Sequence, residues 1–273
     1  MARKCRLNTP TIAARPVGGA IRAVIEPMDP VMNLVQTVCP LFNDSGWAYY
    51  FTPETIGKGK ELGLGGMVFY IAGRGGMLGD CEGEVVAAAF GYFNPAVIVS
   101  AWDQARATAP IREIGRAHFN CAADHGRAKL ANIPNLEAFV AAAEAVNNAG
   151  DPDSMPLYAS FKHAEYADDL PGRAMQLVAT LREFRGSAHL LAIRAKGLNA
   201  KQAHFVKRPN DVKMFGWSEE EPPHIDDQVR ATMLEIEALT DELVAPAYSV
   251  LDAAGQKALT EGAIAIHAAL TAQ

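Results

Sequence analysis

Three groups of residues have types and spacings that could do chemistry. In the first, His118, Cys121 and His125 follow Ile111 and Ile114 at alternating steps of three and four. That spacing puts all five on one stripe of a helix that starts after Pro110. Two imidazoles and a thiol, with Asp124 alongside, carry the donor atoms of a soft-metal site. A lone imidazole such as His118 also has the near-neutral pKa of a proton-transfer group. The apolar start of the stripe equally suits two hydrogen-bonded core histidines and an inert thiol. His118 and His125 lie two turns apart, roughly 10 Å along the axis, and converge poorly. No metal is therefore expected, and His118 is the candidate catalytic residue.

The second group surrounds Arg74 in Gly73-Arg74-Gly75-Gly76. Glycines let a backbone approach a ligand, and a guanidinium can clamp a carboxylate or phosphate; an Arg tied to Asp80 or Glu84 across a turn is the structural alternative. The string lacks the Lys-Ser/Thr of a P-loop. Aromatic residues crowd the same half, Tyr50, Tyr70 and Tyr92 among them, which suits a flat ligand or an aromatic core. His189 makes the third group, near a helix start where it could hold an anion or simply pack. The expected ligand-binding set is thus Arg74, Tyr50, Tyr70, Tyr92, Cys121, His125 and His189. Their expected partner is an aromatic or polycyclic small molecule, with no cofactor. No G-x-S-x-G, H-E-x-x-H or EF-hand signature is present.

The elements that must position these groups read as helices. Thr52-Pro53 and Asn94-Pro95 are N-cap and first-turn pairs, and Val31, Leu34, Val35, Val38 and Leu41 form an amphipathic stripe. Gly150, Pro152 and Pro156 mark a linker, so the expected organisation is an arm (1–25), an N-terminal helical half (26–150) and a C-terminal half (151–273). In the latter, Gly172–Phe184 reads as one helix, stopped at Gly186-Ser187. Ala188–Lys196 and Ala200–Lys207 then flank a Gly197-Leu198-Asn199 turn, a helix-turn-helix pattern. Gln228–Val244 and Ala253–Leu270 close the chain.

Composition narrows the class. The 273 residues carry a formal net charge of −6 and are 49% hydrophobic, which excludes global disorder. Residues 1–25 hold Arg3, Lys4, Arg6, Arg15 and Arg22 and no acid, so the rest is markedly acidic. Such an arm suits an import peptide or a contact to an acidic surface, or else a frayed terminus or a strap across a neighbouring surface. Cys5, Cys39, Cys81 and Cys121 are scattered, as expected of a reducing, cytoplasmic compartment. Asn94-Pro95 cuts the uncharged run Val85–Trp102, so no membrane span is expected.

Several strings are similar to those of an actinobacterial family of helix-turn-helix-like proteins. Tyr50-Phe51-Thr52-Pro53-Glu54, Ala72-Gly73-Arg74 and Phe93-Asn94-Pro95 resemble its N-terminal half. Leu181-Arg182-Glu183-Phe184-Arg185-Gly186, Gly216-Trp217-Ser218-Glu219-Glu220-Glu221 and Thr240-Asp241-Glu242-Leu243-Val244-Ala245-Pro246 resemble its C-terminal half, over residues 31–251 in all. The resemblance implies a mainly α fold of two winged-helix-like halves with little β, and some members stand beside natural-product genes. Pro222-Pro223 interrupts the string where relatives continue a helix into a wing, which implies that the C-terminal wing is lost.

Eight basic residues between 181 and 213 face only Glu183 and Asp211, as phosphate contact requires. Glu219, Glu220, Glu221, Asp226 and Asp227 follow without a Lys or Arg between them and would repel a phosphate backbone. DNA is therefore not the expected partner. The expected function is small-molecule binding on a degenerate winged-helix scaffold, with catalysis open. The alternatives are a ligand-responsive DNA-binding transcriptional regulator and a structural partner that homodimerises through Gln228–Leu270.

Overall fold

The computed structural model describes residues 29–272; the Arg-rich arm lies outside the described residues. Helix starts follow cap chemistry. The first helix, α1 (Pro30–Ser45), begins behind Asp29, whose carboxylate accepts from the Val31 N–H, and α2 (Pro53–Glu61) begins behind Thr52. After α3 (Gly66–Gly75) and a single 3-10 turn come α4 (Gly83–Phe90) and α5 (Pro95–Arg106), which is capped by Asn94. Next are α6 (Ile111–Lys129), α7 (Leu136–Ala149), α8 (Pro156–Lys162) and α9 (Leu170–Ala195). The series ends with α10 (Ala200–Lys207), α11 (Asp227–Tyr248) and α12 (Ala253–Thr271). The described residues are thus mainly α and hold no strand. Among them, no helix is long and apolar enough to cross a membrane.

At Gly186-Ser187 the structure differs from the sequence expectation. There is no stop: α9 runs unbroken through both residues. A mid-helix glycine costs roughly 1 kcal/mol, but Ala188, Ala192 and Ile193 just beyond it are fully buried, and their packing holds the helix together. The break comes at the next glycine. Gly197 has φ +80°, in the left-handed region, and the following Leu198 N–H returns to the Ile193 carbonyl at 3.1 Å. Asn199 and Gln202 then form a reciprocal capping box that starts α10.

The long helix α9 sits at the centre, with α1, α6, α7, α8 and α11 packed around it. Leu177, Val178, Leu181 and Phe184 anchor the main core, which runs from Leu34 to Ile266. A smaller cluster joins Ala192 and Ile193 of α9 to Ala203 of α10 and to Val229, Met233 and Ile236 of α11. In the other direction α3 crosses α6 at very short range. A Cβ on Gly73 would stand 2.3 Å from the His118 Cβ, so this crossing tolerates only glycine. No strand lies between α10 and α11, where a wing would stand.

Candidate functional site

One face of α9 carries polar side chains inside the core. Gln176, Thr180, Glu183 and Ser187 follow one another at steps of four, three and four, and all are buried. Gln176 is satisfied by backbone groups of Phe119 and Ala167, and Thr180 bonds to Tyr166. Glu183 meets charge. Arg74, projected from α3, lays its fork on the carboxylate, with Nε donating to Oε1 at 2.8 Å and Nη2 to Oε2 at 2.7 Å. Arg182 Nη1 donates to the same Oε1 at 3.0 Å, and the Tyr50 hydroxyl does so at 3.3 Å. Burial alone would raise the Glu183 pKa, but the two guanidiniums hold it below the usual carboxylate range. The remaining Arg74 donor, Nη1, reaches the Tyr70 hydroxyl at 3.2 Å, and the guanidinium stacks 4.3 Å from the Phe90 ring centroid.

Arg74, Arg182, Glu183, Tyr50, Tyr70 and Phe90 floor a cavity of about 630 Å³ between α1, α3, α9, α10 and the segment that follows α10. Along its far wall Arg185 donates to both Glu237 and Asp241 at 2.9 Å, and Lys207 of α10 also pairs with Glu237. Burial would raise the Glu237 pKa, but Lys207 and the other donors bring it down to about 2. His189 lies between. Its Nδ1 is 2.8 Å from the Thr240 hydroxyl, which donates its own proton to the Ile236 carbonyl and so must accept from the ring. That leaves His189 Nε2 unprotonated, 3.7 Å from Glu237, and burial pulls the pKa of the ring down to about 4. Tyr92 stacks on this imidazole with centroids 6.3 Å apart.

The fold brings five of the sequence-predicted residues to one cavity: Arg74, Tyr50, Tyr70, Tyr92 and His189 all line it. His118, Cys121 and His125 are not part of the lining. His118 stands one layer behind, fully buried, with its ring 5.1–5.5 Å from those of Tyr49, Tyr50 and Phe69. Neither of its nitrogens has a hydrogen-bond partner, and burial, aided by the charge of Arg74, depresses its pKa to about 3. Cys121 is buried one turn on, where desolvation raises its pKa, and His125 is half-buried farther along α6. Among the described residues no three His, Cys, Asp or Glu side chains assemble as a metal-holding group. Asp80, offered by the sequence as a partner of Arg74, pairs with Arg106 instead.

Sequence reasoning missed Glu183, Arg182, Arg185 and Glu237 as part of the charged lining. One signal was available for Glu183: the polar residues Gln176, Thr180, Glu183 and Ser187 recur at helical spacing.

The basic residues read as a phosphate-facing surface are largely engaged within the chain. Arg182 and Arg185 point into the cavity lining, while Lys196, Lys207 and Lys213 pair with Glu235, Glu237 and Glu219. The segment after Trp217 crosses α10: Lys201 donates to the Glu221 carbonyl at 2.9 Å and Gln202 to that of His224 at 3.3 Å.

A family model described as a helix-turn-helix family matches residues 36–273. No curated protein and no solved structure matches the chain. A scaffold of that kind is regulator-like, and it pulls against the expectation that DNA is not a partner.

Proposed function

The chain belongs to the helix-turn-helix family, and on that premise we propose that it is a ligand-responsive regulator whose small-molecule cavity is walled by its own second helix-turn-helix helix. One observation carries this reading. His204, Lys207 and Arg208, on or just after α10, line the same cavity as Arg74 and Glu183. A molecule in the cavity therefore touches the helix that would present side chains to DNA. The floor is built on buried α3 and α9, whereas α10 is held by a small apolar cluster and by the Lys207–Glu237 pair at the surface. In the arrangement seen here the segment 217–226 lies across α10, so its affinity for DNA is low until the cavity's occupant shifts that helix.

A second reading draws on the same segment. Glu219, Glu220 and Glu221 are exposed beside α10 and would repel phosphates, which favours a scaffold that keeps the cavity and has given up DNA. Fluorescence anisotropy on duplexes from the protein's own genomic neighbourhood, at physiological salt, separates the two. With the cavity filled, the regulator reading expects one duplex to bind with at least about tenfold preference over scrambled sequence, with the salt dependence of phosphate contact. Uniform binding weaker than micromolar, with or without a cavity-bound dye, would support the second reading and overturn the first.

A further inference from the structure

The cavity floor holds two guanidiniums and one carboxylate. Arg74 occupies both Glu183 oxygens in a fork-to-fork pair, the geometry in which one Arg satisfies one carboxylate. Arg182 is left with a share of Oε1, which already accepts from Arg74 and Tyr50, and with a 3.3 Å contact to the Tyr50 oxygen. Its Nε has no partner. Among the described residues, no second carboxylate pairs with Arg182. Asp44, also in the lining, is exposed at the rim and accepts from Asn43. The far wall differs: Arg185 and Lys207 face Glu237 and Asp241, two charges against two. Arg208 and Asp211, also in the lining, add one charge of each sign, and Arg208 is exposed; the uncompensated positive charge that is shielded from solvent therefore sits at Arg182. It is also fixed in place, because its aliphatic stem lies on the backbone turn at Gly46, where a Cβ would come within 2.7 Å of the Arg182 Cδ.

An uncompensated guanidinium in an aromatic-walled cavity is a seat for an anion. We infer that the ligand of this cavity is a flat aromatic molecule bearing one anionic group, which sits on Arg182 beside Tyr50 while its rings lie among Tyr70, Phe90 and Phe93. This rests on the reading of the cavity as a ligand site and names the chemistry it takes. Arg74 is not the anion's seat, because its fork is already closed on Glu183.

The test uses two fluorescent dyes with the same ring skeleton, anionic 8-anilinonaphthalene-1-sulfonate and neutral N-phenyl-1-naphthylamine. Each is titrated into the full chain, into Arg182→Met, which keeps the stem over Gly46, and into Gly186→Phe. A Cβ at Gly186 meets open space, so a side chain there fills the cavity from a helix that needs no rearrangement. If the phenylalanine variant melts early, Gly186→Leu replaces it. The sulfonate should bind at one site at least about tenfold tighter than the neutral dye, the scale of a charge-assisted hydrogen bond. Arg182→Met should erase that difference by weakening the sulfonate alone, and Gly186→Phe should abolish both dyes. Equal affinities of the two dyes, both lost in Gly186→Phe, would overturn the anion seat and leave the cavity standing. The same holds for a preference that survives Arg182→Met. Failure of both dyes to bind, or binding that persists in Gly186→Phe, would overturn the cavity reading itself.

Discussion

The two ends of the cavity are both lined by cation–carboxylate pairs, yet they differ in kind. At the floor Arg74 and Glu183 are 8% and 2% exposed and are joined by a complete bidentate pair. At the α10 wall Lys207 is exposed and shares Glu237 with Arg185. A buried pair is costly to break because removing one partner strands the other charge in a dry site. An exposed pair is worth little, because water and salt compete for both partners. The cavity thus has a firmly paired end and a more loosely held end, and on the proposed reading the first shapes the ligand site while the second is what a ligand displaces.

The largest effect should come from breaking the floor. Glu183→Ala would leave two guanidiniums without a carboxylate, and we expect a loss of about 3–5 kcal/mol, read from urea unfolding. Arg74→Lys is the sharper version: an ammonium keeps the charge but not the two-donor fork, so a loss of about 1–2 kcal/mol is expected. If either variant unfolds at the wild-type midpoint, the floor is not the firmly paired end.

A medium effect should come with pH, through the imidazoles near the cavity. His118, His189 and His204 all have pKa values pushed down by burial, to about 3, 4 and 4. The unfolded chain binds protons at these sites from about pH 6.5 downward, while the folded chain does not. Their contribution is therefore intact above about pH 6.5 and is lost as pH falls from there towards 3. For His118 the loss at pH 5 is about 2 kcal/mol. His118→Leu should raise stability at pH 7.5 by about 1–2 kcal/mol, because it removes a buried ring with no hydrogen-bond partner. It should also flatten the acid side of the profile. Thermal melts at pH 7.5 and 5 check both, and a destabilised His118→Leu would mean that the imidazole has a partner which the geometry does not reveal.

The smallest effect should come at the wall. Lys207→Met is expected to change global stability by less than about 1 kcal/mol, while hydrogen exchange of the α10 amides speeds up. A loss comparable to that of Glu183→Ala would erase the contrast between the two ends.

How much of this was legible in the sequence follows from the range of each interaction. Thr52-Pro53, Asn94-Pro95 and Gly197-Leu198-Asn199 act within a few residues, and the helix boundaries they imply are present. Gly186-Ser187 misled because a local propensity of roughly 1 kcal/mol was outweighed by burial of Ala188, Ala192 and Ile193, which only the tertiary structure supplies. The tyrosines and Arg74 could be picked out by type. The partner of Arg74 could not, since Glu183 lies 109 residues away and Asp80 and Glu84 were nearer along the chain. Arg182 and Arg185 were counted as phosphate-facing because charge alone does not tell a surface from a cavity wall. His118 falls on the stripe its spacing implied, but the depth of its burial depends on how closely α3 crosses α6 at Gly73.

The central claim is that whatever fills the cavity bears on α10 and leaves the floor unmoved. Hydrogen–deuterium exchange of the full chain, with and without saturating 8-anilinonaphthalene-1-sulfonate, tests it most directly. The account predicts that exchange in α10 and residues 208–217 changes by about tenfold or more on dye binding, while α9 between Gln176 and Glu183 stays as protected as before. Dye binding that leaves α10 unchanged, or that loosens α9 and α10 together, would contradict it.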